Sequence, residues 1–177
     1  MMKENFVNVL ANTLSGHYDL KLPHHISGEA FELYGTYNQR NAKYFASKKL
    51  EYYSFANFDH ILYRSYETID LEELKRIVSF GQKMLESLPS PDEEHMETCV
   101  TLILYSELDP CEPVKRYLKQ KSNRSKSFSW GLKGWSKLKV IIMVPSSLEV
   151  YTNRFGDRDK SRFKKILENQ MIKGVVS

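Results

Sequence analysis

Apolar residues recur at helical spacing in four stretches of the chain, and alternate or run unbroken in several others. Phe6, Val9, Leu10, Thr13 and Leu14 lie on one face of a helix predicted over 3–15, with Gly16 as its stop. Leu71, Leu74, Ile77, Val78, Gly81, Met84, Leu85 and Leu88 form the buried stripe of a second helix, which Pro89 ends. Asp70 and Glu73 open it as a capping box. Asp109 as N-cap, Pro110 at the first helical position and Glu112 at the third predict a third helix, running to about Lys121. Phe163, Ile166, Leu167 and Met171 predict a fourth over 159–172, with Gly174 beyond its end.

Strand patterns fill the intervals. Residues 18–22 alternate well enough for a short strand within the connector 17–28. Three runs follow closely, at 31–39, 48–56 and 58–67. The first places Phe31, Leu33, Gly35 and Tyr37 on one face. The last sets Ile61 and Tyr63 opposite Phe58, His60 and Leu62, and Asn57 is read as a tight hairpin between the second and third. Residues 99–105 and 137–145 are apolar enough to be buried on both faces, and 148–153 forms a last strand after the Ser146-Ser147 turn. The predicted order is α-βββ-α-β-α-ββ-α. It reads as an α/β, α+β-leaning fold: one mixed sheet, an antiparallel three-stranded meander on one side, two central parallel strands and about four flanking helices. A single domain over 1–177, with its core in about 3–172, accommodates this.

Composition narrows the class of protein. Hydrophobic content of 41% and charged content of 27% are those of a globular chain. The longest apolar run, Val140 to Val144, is too short to span a bilayer, which needs about 20 residues, so no membrane partner is expected. The N-terminus has no secretory-signal pattern, and two unpatterned cysteines, Cys99 and Cys111, suggest reduced thiols in a cytoplasmic protein.

Charge changes the picture more. Residues 1–112 hold 10 Lys+Arg against 18 Asp+Glu, whereas 113–177 hold 16 against 4. Between Glu112 and Glu149 there is no acid at all, but nine basic residues and both tryptophans. Such asymmetry points to an anionic partner, or to two faces of the chain meeting each other. Within that span, the start belongs to the third helix and the end to a buried strand. Only 122–136 lacks a structural reason for its charge. Arg124, Lys126, Phe128, Trp130, Lys133, Trp135 and Lys137 combine cations for phosphates with rings for bases, so they are the candidate anion- or nucleic-acid-binding residues. Gly131-Leu132-Lys133-Gly134 has the form of a backbone-gripping G-x-x-G loop, but a strand follows it where KH domains need a helix. It reads instead as a turn whose glycines let the tryptophans pack.

Other chemistry is thinly represented. The helix-then-meander opening resembles the core order of the PD-(D/E)XK nuclease fold, whose acid-x-Lys pair gathers a divalent metal. Here Glu51 and Asp59 lie on suitable strands but are followed by Tyr53 and Ile61 instead of lysine. Glu107, Asp109 and Glu112 cluster after a buried strand and read as loop and capping residues. Asp157-Arg158-Asp159 reads as a helix start and not a calcium loop. The five histidines form no metal-ligand pattern, and His95 alone merits consideration as a general base. No cofactor, metal ligand or catalytic residue is assigned.

At Lys43-Tyr44-Phe45, His95-Met96, Lys126-Ser127-Phe128, Gly131-Leu132-Lys133-Gly134-Trp135-Ser136 and Val150-Tyr151-Thr152-Asn153 the chain resembles an uncharacterised prokaryotic family of small cytoplasmic proteins. The resemblance covers roughly 17–160, with a K-G-W-S step before a buried strand and a V-x-T-N step after it. It implies no activity, cofactor or partner. The resulting expectation is a non-enzymatic module whose segment 122–139 contacts nucleic acid or another polyanion. The alternatives are self-association or protein binding through the acidic and basic parts, and a diverged PD-(D/E)XK-like nuclease or other enzyme.

Overall fold

Helix α1 (Met2–Leu14) leads into β1 (Asp19–Lys21), a small hairpin of β2 (His24–Ile26) and β3 (Glu29–Phe31), and two long strands, β4 (Leu33–Tyr44) and β5 (Glu51–Tyr66). Then come α2 (Leu71–Ser87), β6 (His95–Ser106), α3 (Glu112–Lys121), β7 (Arg124–Ser127), β8 (Trp135–Val144), β9 (Glu149–Thr152) and α4 (Lys160–Val175). The structure is a computed structural model and describes residues 2–44, 51–88, 95–131 and 134–175.

Seven strands form one mixed sheet in the order β1-β4-β5-β6-β8-β7, and β9 also pairs with β8. Strands β5, β6 and β8 run parallel, while β1, β4, β7 and β9 run antiparallel to their neighbours. The mixed sheet with antiparallel strands on one side and parallel strands at its centre is the fold class that the hydrophobic pattern predicts. β6 and β8 carry it because both are buried on both faces: Val100, Leu102 and Leu104 look to one side, Ile103 and Tyr105 to the other.

Helices α2 and α3 cover one face. Leu74, Ile77, Met84 and Leu85 of α2 and Val114 and Leu118 of α3 pack on Leu62, Leu102, Leu138, Val140 and Ile142. The approach is close: a Cβ at Gly81 would lie 2.7 Å from Leu138 Cδ1. Helices α1 and α4 cover the other face, where Phe6, Leu10, Leu14, Phe163 and Leu167 pack on Leu33, Ile61, Tyr63, Ile103 and Ile141. Burial of these side chains, worth roughly 1.5–3 kcal/mol each, holds the layers together.

Several boundaries differ from the pattern-based expectation. Asn57 is no hairpin; it pairs with Gln39 inside the continuous β5. One residue cannot close a hairpin, which needs a two-residue loop at least. The β4–β5 connection instead spans 45–50, outside the described residues. Phe31 and Leu33 do not share a face. The sheet is interrupted at Glu32, so Phe31 packs under α2 and Leu33 under α1. The connector 17–28 contains β2 as well as β1. Helix α3 begins later than Asp109-Pro110 suggests: Cys111 is the N-cap, its carbonyl accepting from Val114 and Lys115 N–H at 3.0 and 3.2 Å. Asp109 accepts instead from the Tyr151 hydroxyl at 2.7 Å. Helix α4 continues through Gly174 to Val175. Strand β7 lies where a basic, serine-rich loop is expected. Arg-Ser-Lys-Ser has no apolar alternation because β7 is an edge strand, where charge is favoured over hydrophobicity.

Candidate nucleic-acid interface

The outer edge of β8 is shared between two strands. Arg124 to Ser127 of β7 pair with Leu138 to Trp135, and Thr152 to Glu149 of β9 pair with Ile141 to Val144. Between them the β8 backbone would be left without partners. Asn153, fully buried, fills the seam. Its Oδ1 accepts from Val140 N–H at 3.1 Å, and its Nδ2 donates to the Leu138 carbonyl at 2.9 Å and the Ser122 carbonyl at 3.3 Å. A carboxamide carries the same donor and acceptor as a peptide unit and so substitutes for the missing stretch of strand. Its Oδ1 also accepts from Gly156 N–H at 3.1 Å, which folds 154–158 back along β7 and β8. Arg154 N–H donates to Asn123 Oδ1 at 2.9 Å, and the Thr152 hydroxyl bonds Asp157 at 2.5 Å.

The folded-back loop and the β7–β8 edge enclose an open groove of about 730 Å³. Its lining comprises Ser125, Lys126 and Ser127 of β7, Trp135 and Lys137 of β8, and Arg154, Phe155, Asp157 and Arg158 of the loop. Register places Ser127 beside Trp135 and Ser125 beside Lys137, all on the α1/α4 side of the sheet. Trp135 remains 42% exposed. Lys137, Arg154 and Arg158 meet one acid there, and that acid, Asp157, is already bound by Lys119 at 2.8 Å. Lys137 pairs with Glu97 on β6.

Beside the groove the same face carries Asp59, Cys99 and Lys139. The Tyr18 hydroxyl approaches Asp59 at 3.5 Å, and Lys139 donates to Asp159 at 2.6 Å. Burial raises the Asp59 pKa, with Glu97 adding to the effect against Lys139 and Lys137. Burial pushes the Cys99 thiol up to about 11. It also works against the Lys139 ammonium, but Cys99, Asp159 and Asp59 outweigh it and leave that pKa raised.

Of the seven candidate residues, Lys126, Trp135 and Lys137 line the groove, but Lys126, paired with Ser136 on the α2 side of β8, directs its side chain away from Trp135 and Lys137. Arg124 is likewise turned toward the α2 side, where it donates to Gln82 Oε1 on α2 at 2.8 Å and to the Lys121 carbonyl at 2.7 Å. Phe128 is half-buried, and the Lys126 ammonium lies 5.5 Å from its ring centroid. Lys133 lies outside the described residues. The glycine-rich turn does not bury the tryptophans. Trp130 is fully exposed at the tip of the β7–β8 connection with φ +58°, followed by Gly131 at +87°. Ser129 to Gly131 form a short turn kinked at Trp130, and the indole stands clear of the other described residues.

Arg154, Phe155 and Arg158 have no counterpart in the sequence-based list. Their signal was the V-x-T-N step: Val150, Thr152 and Asn153 are all buried, so the residues after it must turn back across the sheet edge. Among the described residues, the acids that could serve catalysis do not converge. Asp59 lies beside the groove, Glu32 accepts from Ser65 Oγ at 2.6 Å, and Glu107 follows the far end of β6, roughly 26 Å along the strand from Cys99. The side chains of Glu51 and His95 lie outside the described residues. Among the described residues no group of three or more His, Cys, Asp or Glu side chains could hold a metal ion. Among them, too, no helix is long and apolar enough to cross a membrane.

Among the described residues, fold and groove together define an α+β protein with a large mixed sheet, four helices and a groove along one sheet edge lined by Trp135, Lys137, Arg154, Phe155 and Arg158. Residues 2–165 match the family model DUF8052, a domain of unknown function, and the chain belongs to that family. No curated protein and no solved structure matches it.

Proposed function

We propose that the protein is a non-enzymatic binding module that takes single-stranded nucleic acid, or a polyanion of like spacing, in the groove between the β7–β8 edge and the 154–158 loop. The observation that carries this reading is the placement of a partly exposed Trp135 and the Lys137 ammonium on one groove floor, facing Arg154 and Arg158. Cations close to a stacking surface are what a flexible phosphate backbone with unpaired bases requires. Duplex recognition would call for a helix or ribbon shaped to a groove of its own. The two free thiols, Cys99 and Cys111, support action in the reducing cytoplasm.

The test is anisotropy of a labelled single-stranded oligonucleotide titrated with protein at several salt concentrations. Each phosphate neutralised contributes about −0.7 to the slope of log K against log salt, so two to four contacts give roughly −1.4 to −2.8. Arg154→Ala and Arg158→Ala should each weaken binding and flatten that slope, and Trp135→Ala should weaken binding without flattening it. Salt-independent binding, or affinity unchanged in these variants, would overturn the reading. Dimerisation that vanishes at high salt, in a protein that binds no oligonucleotide, would replace it with self-association.

A further inference from the structure

The groove is one end of a wider polar surface. Strand register aligns Asn57 on β5, Glu97 on β6, Trp135 on β8 and Ser127 on β7 in one row across four strands. The next row holds Asp59, Cys99, Lys137 and Ser125. Neighbouring strands are about 4.8 Å apart. The apolar layer under α1 and α4 reaches Ile61 and Ile141 and includes none of these eight residues. Among the described residues the first row lies beyond that layer, with Trp135 and Ser127 exposed and Asn57 and Glu97 half-buried, whereas Cys99 in the second row is buried. Lys137, Arg154 and Arg158 lie at the β7–β8 end and Asp59 and Glu97 at the β5–β6 end, with Lys137 and Glu97 joined in an ion pair beside Trp135.

We infer that this surface binds a single strand with its phosphates along Arg154 and Arg158 and a base stacked on Trp135, and that the Glu97 carboxylate, held in place by Lys137, selects bases carrying an exocyclic amino group. This rests on the binding reading above. A base lying on Trp135 has its edge within about one strand spacing of the Glu97 carboxylate, because the two residues are paired across β8 and β6. An ionised carboxylate only accepts hydrogen bonds. The amino group of cytosine or adenine supplies the donor it needs, whereas thymine or uracil presents a carbonyl oxygen at the equivalent place. That leaves two acceptors facing each other, and a desolvated mismatch of this kind discriminates strongly. Backbone charge thus falls to Arg154 and Arg158, and base choice to Glu97.

The experiment compares oligo-dC with oligo-dT of equal length at one salt concentration and neutral pH, two pyrimidines that differ at this amino position. Cytosine strands should bind roughly five- to a hundredfold more tightly. Glu97→Ala, checked for folding by thermal melts, should shrink that ratio toward one. Arg158→Ala should weaken both strands alike and keep the ratio. Equal affinity of the wild-type protein for the two strands overturns the selectivity while leaving the binding reading in place, and so does a ratio that persists in Glu97→Ala. Failure to bind either strand overturns both.

Discussion

The side-chain oxygen of Asn153 accepts the backbone N–H of Gly156 while its carboxamide nitrogen donates to the carbonyl of Leu138. One buried side chain thereby joins the groove wall to the strand that forms its floor. Asn153→Ala should cost about 2–4 kcal/mol, since several buried backbone groups lose their partner at once. For a chain of this size that lowers Tm by roughly 2–4 °C per kcal/mol. Asn153→Asp should be no milder, because a carboxylate cannot donate to Leu138 and Ser122. Denaturant unfolding of the two variants checks both statements.

Asp59 provides a pH test. Its carboxyl titrates above the usual range, chiefly through burial, so the folded protein holds more protons than the unfolded chain between the ordinary and the raised value. Stability from this group is therefore fully present below the ordinary carboxylate pKa and is lost as pH rises through the raised one. Asp59→Asn keeps an acceptor for the Tyr18 hydroxyl and removes the buried charge. It should raise Tm at neutral pH and give no advantage in acid. Melting curves of the two proteins across pH should converge at the low end.

Arg124 and Arg158 are both cationic and both near the β7–β8 edge, but their partners assign them different work. Arg124→Ala removes hydrogen bonds to Gln82 and the Lys121 carbonyl and should cost about 1–2 kcal/mol while leaving oligonucleotide affinity nearly unchanged. Arg158→Ala should do the converse. Melting temperature and binding anisotropy measured on the same two samples separate them.

Trp130 holds a left-handed conformation that costs an L-residue roughly 1–2 kcal/mol, and its indole makes no compensating burial. Trp130→Gly should leave stability unchanged or raise it by up to about 1 kcal/mol, with the flexibility of glycine in the unfolded chain limiting the gain. A clear loss of stability would mean that the indole packs in solution.

The chain's buried periodicity was readable before any coordinates because α2, β6 and β8 are determined by burial, and burial leaves an apolar trace. Leu74 to Leu85 and Val140 to Val144 could hardly occupy other positions. Strand β7 left no such trace, since Arg124 to Ser127 pair through the backbone alone. The flip between Phe31 and Leu33 was hidden because both are apolar and two apart, the spacing of a single face. Half of the site was legible for a similar reason. Lys126, Trp135 and Lys137 are close in sequence, whereas Arg154 and Arg158 arrive through a fold-back that depends on the hydrogen bonds of a single asparagine.

Strand β8 alternates between two duties, Trp135, Lys137 and Lys139 toward the open face and Ser136, Leu138 and Val140 toward α2. A single inserted or deleted residue early in this strand would exchange the two sets, sending lysines into the layer beneath the helix and leucine onto the opposite face. Replacing side chains in place preserves this division. Changes of length have to be confined to the loops on either side.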